Sequence, residues 1–224
     1  MRGLYAIVDL GALAARCLDP IAFAGAVLRV GPAALQLRAK DTPSREVLAL
    51  LRELAPMCHR AGVPLVANDR PDLALLAGCD IVHVGQTDMP IDRVRRITPG
   101  LGVGVSTHTL EQLDAALAAV PTYVALGPIF ETRTKDNPGP VVGVEVLRAA
   151  SARAAAARVP LVAIGGITRE RARELVGLVD AVAVVAELLP SRTGSDALRE
   201  VTSRAQTLHD MFVAPEPVLA GAAR

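Results

Sequence analysis

Apolar residues in this chain come in short blocks rather than long stretches. Runs rich in Val, Ile, Leu and Ala occupy residues 4–8, 34–37, 64–67, 81–84, 102–105, 123–126, 161–164 and 181–185. Most lack polar alternation, so they read as strands buried on both faces, as parallel strands are. Between them, apolar positions recur at helical spacing over residues 20–30, 44–61, 71–77, 91–97, 110–119, 144–157, 169–177 and 196–212. Thr42-Pro43, Thr109 and Thr168 stand where caps belong, Pro90 at a first helical position, and Gly62, Gly78 and Gly177 where helices should stop.

Strand and helix thus alternate eight times. This predicts an α/β chain folded as a single (β/α)8 TIM barrel over residues 1–212, with a loose Ala-, Pro- and Gly-rich tail at 213–224. An open doubly wound sheet shares the alternation but fits eight units in 224 residues less well. That length suits one domain with a substantial core, and no repeat or second domain is visible.

Composition narrows the function classes. Hydrophobic residues make up 51% and aromatics only 2%, so the core is Ala, Leu and Val, and a base-stacking surface is not expected. Lys plus Arg number 24 against 23 for Asp plus Glu, too even a balance to recruit nucleic acid or an anionic membrane. No apolar run reaches the roughly 18–20 residues of a membrane span. Asp9 and Arg16 interrupt the stretch a signal peptide would need. A cytoplasmic protein acting on small molecules is expected, and a homo-oligomer is compatible with the pattern. Cys17, Cys58 and Cys79 match neither a disulfide framework nor a zinc set and read as reduced thiols.

The candidate chemistry gathers where strands end. Gln36-Leu37-Arg38-Ala39-Lys40 puts two cations at alternate positions of one strand end, able to face one ligand beside Gln36. Asn68-Asp69-Arg70-Pro71 closes the next strand, with Asp69 either a metal carboxylate or a cap for the helix that Pro71 opens. Gly85-Gln86-Thr87-Asp88 follows the fourth, so Asp69 and Asp88 could share a hard divalent ion such as Mg2+ that also binds phosphate oxygens. The loop from Gly127-Pro128 through Thr132-Arg133-Thr134-Lys135 to Asn137-Pro138-Gly139-Pro140 reads as a lid or phosphate clamp. Gly165-Gly166 after the seventh strand and Val185-Ala186 after the eighth occupy the usual phosphate site of barrels. Ser106-Thr107-His108 shows no partner for a Ser–His hydrolase, His108 reads as a residue that caps or packs against its helix, and His59 and His209 read as surface residues. His83, inside a strand, reads as a hydrogen-bonded core histidine.

In this order, these motifs make the chain resemble the thiamine phosphate synthases over nearly its whole length, from Leu4-Tyr5 to the eighth strand. The resemblance implies that a hydroxymethylpyrimidine diphosphate and a thiazole phosphate, or its carboxylated form, are joined to thiamine phosphate with release of diphosphate. It implies that Gln36, Leu37, Arg38, Ala39, Lys40, Asn68, Ser106 and Lys135 hold the pyrimidine diphosphate, with Arg38, Lys40, Ser106 and Lys135 catalytic. Asp69 and Asp88 are implied as Mg2+ ligands, and Thr132, Arg133, Thr134, Gly166, Val185 and Ala186 as the thiazole phosphate site. Ala186 stands where many relatives are expected to have Ser, leaving a main-chain but no hydroxyl contact. The rival readings are a thiazole tautomerase, whose expected His after the strand-six Gly is here Pro128, and a non-catalytic barrel that binds thiamine precursors.

Overall fold

Eight parallel strands close into a ring in the computed structural model of the chain, which describes residues 1–132, 134, 139–191 and 194–213. They are β1 (Gly3–Asp9), β2 (Ala34–Arg38), β3 (Leu65–Asn68), β4 (Ile81–Val84), β5 (Gly102–Thr107), β6 (Tyr123–Leu126), β7 (Leu161–Ile164) and β8 (Ala181–Val184). Each pairs with the next, and β8 pairs with β1, so none of the eight keeps an unpaired edge. The helices are α1 (Leu10–Ala14), α2 (Pro20–Leu28), α3 (Ser44–Ala61), α4 (Pro71–Ala77), α5 (Ile91–Ile97), α6 (Leu110–Ala118), α7 (Gly143–Ala157), α8 (Arg169–Ala172) and α9 (Ser195–Val213). The closed barrel expected from the alternation is therefore the fold.

Side-chain alternation along the strands divides the core in two. Leu4, Ala6 and Val8 of β1 belong to the large outer cluster under the helices, whereas Tyr5 and Ile7 belong to a smaller cluster inside the barrel with Ala34, Val66, Ile81, Tyr123 and Val162. Following the inward positions toward the strands' carboxyl ends leads from apolar to polar residues. Ile7 gives way to Asp9, Ala34 to Gln36 and Arg38, Val66 to Asn68, Ile81 to His83, and Gly104 to Ser106. One parity rule thus fills the interior with apolar side chains and furnishes its mouth with polar ones.

Several expected boundaries move for local reasons. Asp9 caps an unforeseen helix, α1, its Oδ1 accepting from the Ala12 N–H at 2.9 Å. Thr42 does not cap α3; its hydroxyl donates to the Lys40 carbonyl, and Pro43 stands at the cap without a side-chain bond. Pro90 likewise sits at the cap of α5, not inside it. Thr109 and Thr168 do cap α6 and α8. Gly62 and Gly78 end α3 and α4 in left-handed conformations, φ 65° and 71°. The helix expected over 169–177 is α for only four residues and tightens to a 3-10 turn at Arg173–Leu175. His209, expected at the surface, is half-buried: its Nδ1 is buried with no hydrogen-bond partner among the described residues, and a Cβ at Gly3 would lie 2.7 Å from it. The tail beyond Val213 lies outside the described residues.

The interior depends on one glycine. A Cβ on Gly104 would lie 2.1 Å from Tyr123 Cζ, so the ring of Tyr123 fills the space that a side chain on β5 would take. Gly104→Ala is therefore expected to destabilise the fold by about 3 kcal/mol, the upper part of the range for overpacking a closed core. Urea denaturation would show it as a lower midpoint at unchanged slope, and an unchanged midpoint would mean the ring moves aside freely.

Candidate active site

The inward-facing side chains at the strand ends build two connected systems. The first is ionic. Asp9, buried at the end of β1, accepts from Arg38 on β2 through Oδ2 at 2.5 Å, and Lys40 beyond β2 donates to Oδ2 of Asp69 beyond β3. Arg38 and Lys40, expected to face one ligand, are thus each held by a carboxylate of a neighbouring strand end. Asp69 adopts φ 63°, a left-handed conformation that Asp tolerates, and its N–H donates to the His83 carbonyl at 2.8 Å. It is not the cap of α4: Arg70 holds that position without a side-chain cap bond, and pairs with Asp72 and Ser44.

Asp88 accepts from the Gly85 N–H at 2.7 Å, which folds the Gly85-Gln86-Thr87-Asp88 turn back on itself. Gln86 of the same turn reaches across to the Ser106 carbonyl at 2.6 Å. Lys40, Asn68, Asp69 and Asp88 line one cavity of about 390 Å³, with Leu37 and Ala39 in its apolar wall. A cavity of about 440 Å³ lies at the opposite end of the barrel beside Arg158, Asp180 and Phe212, away from all these groups.

The second system is a buried chain of hydrogen bonds. Gln36 Nε2 donates to Asn68 Oδ1 at 2.8 Å, and Gln36 Oε1 accepts from the Tyr5 hydroxyl at 2.6 Å. The Tyr5 and Tyr123 hydroxyls lie 2.6 Å apart, His83 Nδ1 is 2.7 Å from Tyr123 Oη, and His83 Nε2 is 2.7 Å from Ser106 Oγ. Burial lowers the His83 pKa to about 4 against a smaller opposing effect of Asp88, and burial raises both tyrosines. His83 is the bonded core histidine expected, although its partners could not be read from the sequence.

The far side of the rim is backbone-built. Ile129 and Phe130 donate their N–H groups to the carbonyls of Ile164 and Gly165 at 2.9 and 3.1 Å, pinning the base of the loop after β6 to the end of β7. A Cβ on Gly166 would come 2.2 Å from the Glu131 carbonyl oxygen, so this glycine is required for the loop's approach. Arg171 donates to the Gly166 carbonyl and lies over the Phe130 ring. The Thr132 hydroxyl bonds the Thr134 N–H at 3.3 Å. Val185 and Ala186 begin the 3-10 turn after β8, the strand beside β7. Arg133 and Lys135 lie outside the described residues, as do Asn137 and Pro138. His108 does not cap α6 but sits against it, its main-chain N–H donating to Gln112 Oε1 at 2.8 Å, while its Nδ1, 2.5 Å from the Gly127 carbonyl, ties the ends of β5 and β6.

Sequence reasoning gave no site role to Asp9, Tyr5, Tyr123 or Gln86. Asp9 left a usable signal as a carboxylate at a strand end, like Asp69, and Gln86 lay inside a motif already singled out.

A parallel eight-stranded barrel that collects its cations, carboxylates and amides at the strands' carboxyl ends is the arrangement of (β/α)8-barrel enzymes. The sequence profile of the thiamine monophosphate synthase family matches residues 4–188, and the chain belongs to that family. It is 43% identical over 207 residues to the thiamine-phosphate synthase of Koribacter versatilis (strain Ellin345), covering 88% of this chain and 94% of that one. It is 44% identical over 177 residues to the thiamine-phosphate synthase of Roseiflexus castenholzii, covering 78% and 75% respectively. Among solved structures, the thiamine phosphate pyrophosphorylase of Pyrococcus furiosus matches with a TM-score of 0.78 at 28% identity, over 93% of this chain and 96% of that one. No helix among the described residues is long and apolar enough to cross a membrane.

Because the fold lowers the His83 pKa from 6.5 to about 4, the unfolded chain binds a proton more readily between those values. The stability that neutral His83 retains above pH 6.5 is expected to be lost as the pH falls toward 4, about 2 kcal/mol by pH 5. Urea midpoints at pH 7.5 and pH 5 check this: His83→Asn should flatten the difference, and an equal drop in both proteins would place the titration elsewhere.

Proposed function

We propose that the chain joins a hydroxymethylpyrimidine diphosphate to a thiazole phosphate, releasing diphosphate and forming thiamine phosphate. The observation that carries this reading is that, in a member of this family, Lys40, Asn68, Asp69 and Asp88 converge on one rim cavity, while Gln36 and Ser106 approach from the barrel interior. In the reaction, the bond between the pyrimidine methylene carbon and the bridging oxygen breaks, and the electron pair leaves with diphosphate. The aminopyrimidine spreads the resulting positive charge until the thiazole nitrogen attacks the methylene carbon. The protein's task is to orient two anions and favour charge separation; it needs no strong base.

Arg38 and Lys40 are suited to neutralise the departing diphosphate, because Asp9 and Asp69 hold them in place before it binds. Lys135 joins them by family resemblance, and Asn68 with the Leu37–Ala39 wall bounds the pyrimidine diphosphate. Thr132, Arg133, Thr134 and Gly166, with the main chain at Val185-Ala186, are the proposed thiazole phosphate site.

The residues present fit magnesium. Asp69 and Asp88 offer hard oxygen donors to one cavity, and no three His, Cys, Asp or Glu side chains form a metal set among the described residues, so water and phosphate oxygens would complete the shell. When bound there, Mg2+ supplies positive charge against the diphosphate oxygens.

Incubating the purified chain with both substrates and Mg2+ should yield thiamine phosphate, and its absence would overturn the reading. Asp88→Asn is expected to lower turnover at least ~100-fold, about 2.7 kcal/mol of transition-state stabilisation, and Asp69→Asn at least as much because it also releases Lys40. Full activity after exhaustive chelation would remove the metal from the mechanism.

A further inference from the structure

The buried hydrogen-bond chain has a direction, and it can be worked out by counting protons. The Gln36 amide sets it, since its Nε2 donates to Asn68 and its Oε1 can only accept. Tyr5 must therefore give its one proton to Gln36. With that proton spent, Tyr5 can only accept in its 2.6 Å contact with Tyr123, so Tyr123 donates to Tyr5. Tyr123 in turn can only accept from His83, which requires the proton on Nδ1. The imidazole is buried between two neutral hydroxyls, with no carboxylate at either ring nitrogen among the hydrogen bonds described, so Nε2 presents a lone pair. Ser106 must then donate to Nε2 at 2.7 Å.

We propose that Tyr5, Tyr123 and His83 are positioning residues that carry the polarity of the Gln36 amide across the barrel, so that Ser106 spends its proton on His83 and turns only lone pairs to the mouth. There the Ser106 oxygen accepts from the exocyclic amino group of the pyrimidine. The direction of the chain stands on the hydrogen-bond geometry and the burial of a neutral His83; the amine as partner rests on the synthase reading. The arrangement acts on the chemistry. As the methylene–oxygen bond breaks and positive charge spreads onto the amino group, its N–H becomes a stronger donor, so an obligate acceptor holds the transition state more tightly than the ground state. A hydroxyl already donating is also the better acceptor. Were the chain reversed, Ser106 would turn its proton toward an amino group whose lone pair is delocalised into the pyrimidine ring and accepts poorly.

The geometry is built to last. Tyr123 is wedged across the Cβ-less Gly104, meets Tyr5 edge-on with centroids 5.5 Å apart, and stacks on His83 at 14° between planes. Gln86 braces the Ser106 backbone from the next strand end.

Two measurements test the proposal. Nitrogen-15 NMR of the ligand-free protein, with the His83 signals identified by their loss in His83→Asn, should show Nδ1 protonated and Nε2 bare; the opposite tautomer would overturn the relay whatever the chain catalyses. Tyr123→Phe and Tyr5→Phe, which keep the rings, should each release His83 from that tautomer and lower kcat about 10-fold with a smaller change in KM for the pyrimidine diphosphate. If one variant fails to fold, as judged by thermal melting, the other carries the test. Combined with Ser106→Ala, neither should reduce kcat beyond the effect of Ser106→Ala alone; losses that multiply would show that the tyrosines act through packing and overturn their positioning role. A wild-type chain with the expected tautomer but no thiamine phosphate product would overturn the synthase reading and, with it, the amine as the partner of Ser106.

Discussion

The inside of an eight-stranded barrel has to be filled, and this chain has few large side chains with which to do it. It has no Trp, three Phe and two Tyr, and both tyrosines go to the interior, where they are fully buried. Their rings supply the volume that Ala34, Ala125, Ala181 and Ala183 around them do not. Each ring also carries a hydroxyl into a dry space, where an unpaired one would cost a few kcal/mol. Those hydroxyls can be satisfied only by each other and by side chains one layer nearer the mouth, which are Gln36 and His83. These then need partners themselves, and Asn68 and Ser106 provide them at the rim. Filling the core thus obliges the chain to build the polar floor of its own site.

The ionic part of the rim follows a different logic. Arg38 and Asp9 are largely shielded, at 23% and 7% side-chain exposure, so their attraction is offset by the cost of removing both charges from water. Such a pair adds little to stability and much to placement. Two of the rim cations, Arg38 and Lys40, are fixed by carboxylates on neighbouring strand ends, and Arg169 is tied to Glu187 after β8. An incoming polyanion meets cations already oriented by local counter-charges. With nearly equal numbers of acidic and basic residues in the whole chain, attraction for phosphate has to be arranged in this local way.

The barrel was legible because its strands are buried on both faces: Leu35, Val66, Val82 and Val162 read as continuous apolar runs whichever cluster they join. The rim residues were legible because they break such runs at one end, as Arg38 and Asn68 do. The hydrogen-bond chain was not, since Tyr5 and Tyr123 are 118 positions apart and no periodicity relates them. Helix α1 escaped because its start depends on Asp9, which looks like the end of a strand and is also that. His209 escaped because its burial comes from contact between α9 and Gly3, at opposite ends of the described chain.

The Gly165-Gly166 pair shows how one sequence feature can answer two demands. Its place after β7 suggests a phosphate cradle, yet the structure gives it an immediate mechanical reason. A Cβ at 165 would come 2.5 Å from Pro128 Cα, and one at 166 would come 2.2 Å from the Glu131 carbonyl. Any side chain there would first lift the loop base that Ile129 and Phe130 pin to β7. Thr132 and Thr134, the proposed phosphate ligands, follow that base within a few residues. The two demands are therefore coupled: the glycines let the loop lie close to β7, and the loop brings its hydroxyls to the rim. If the proposed thiazole phosphate site is right, selectivity for the second substrate depends on how this loop seats as well as on which groups touch the phosphate.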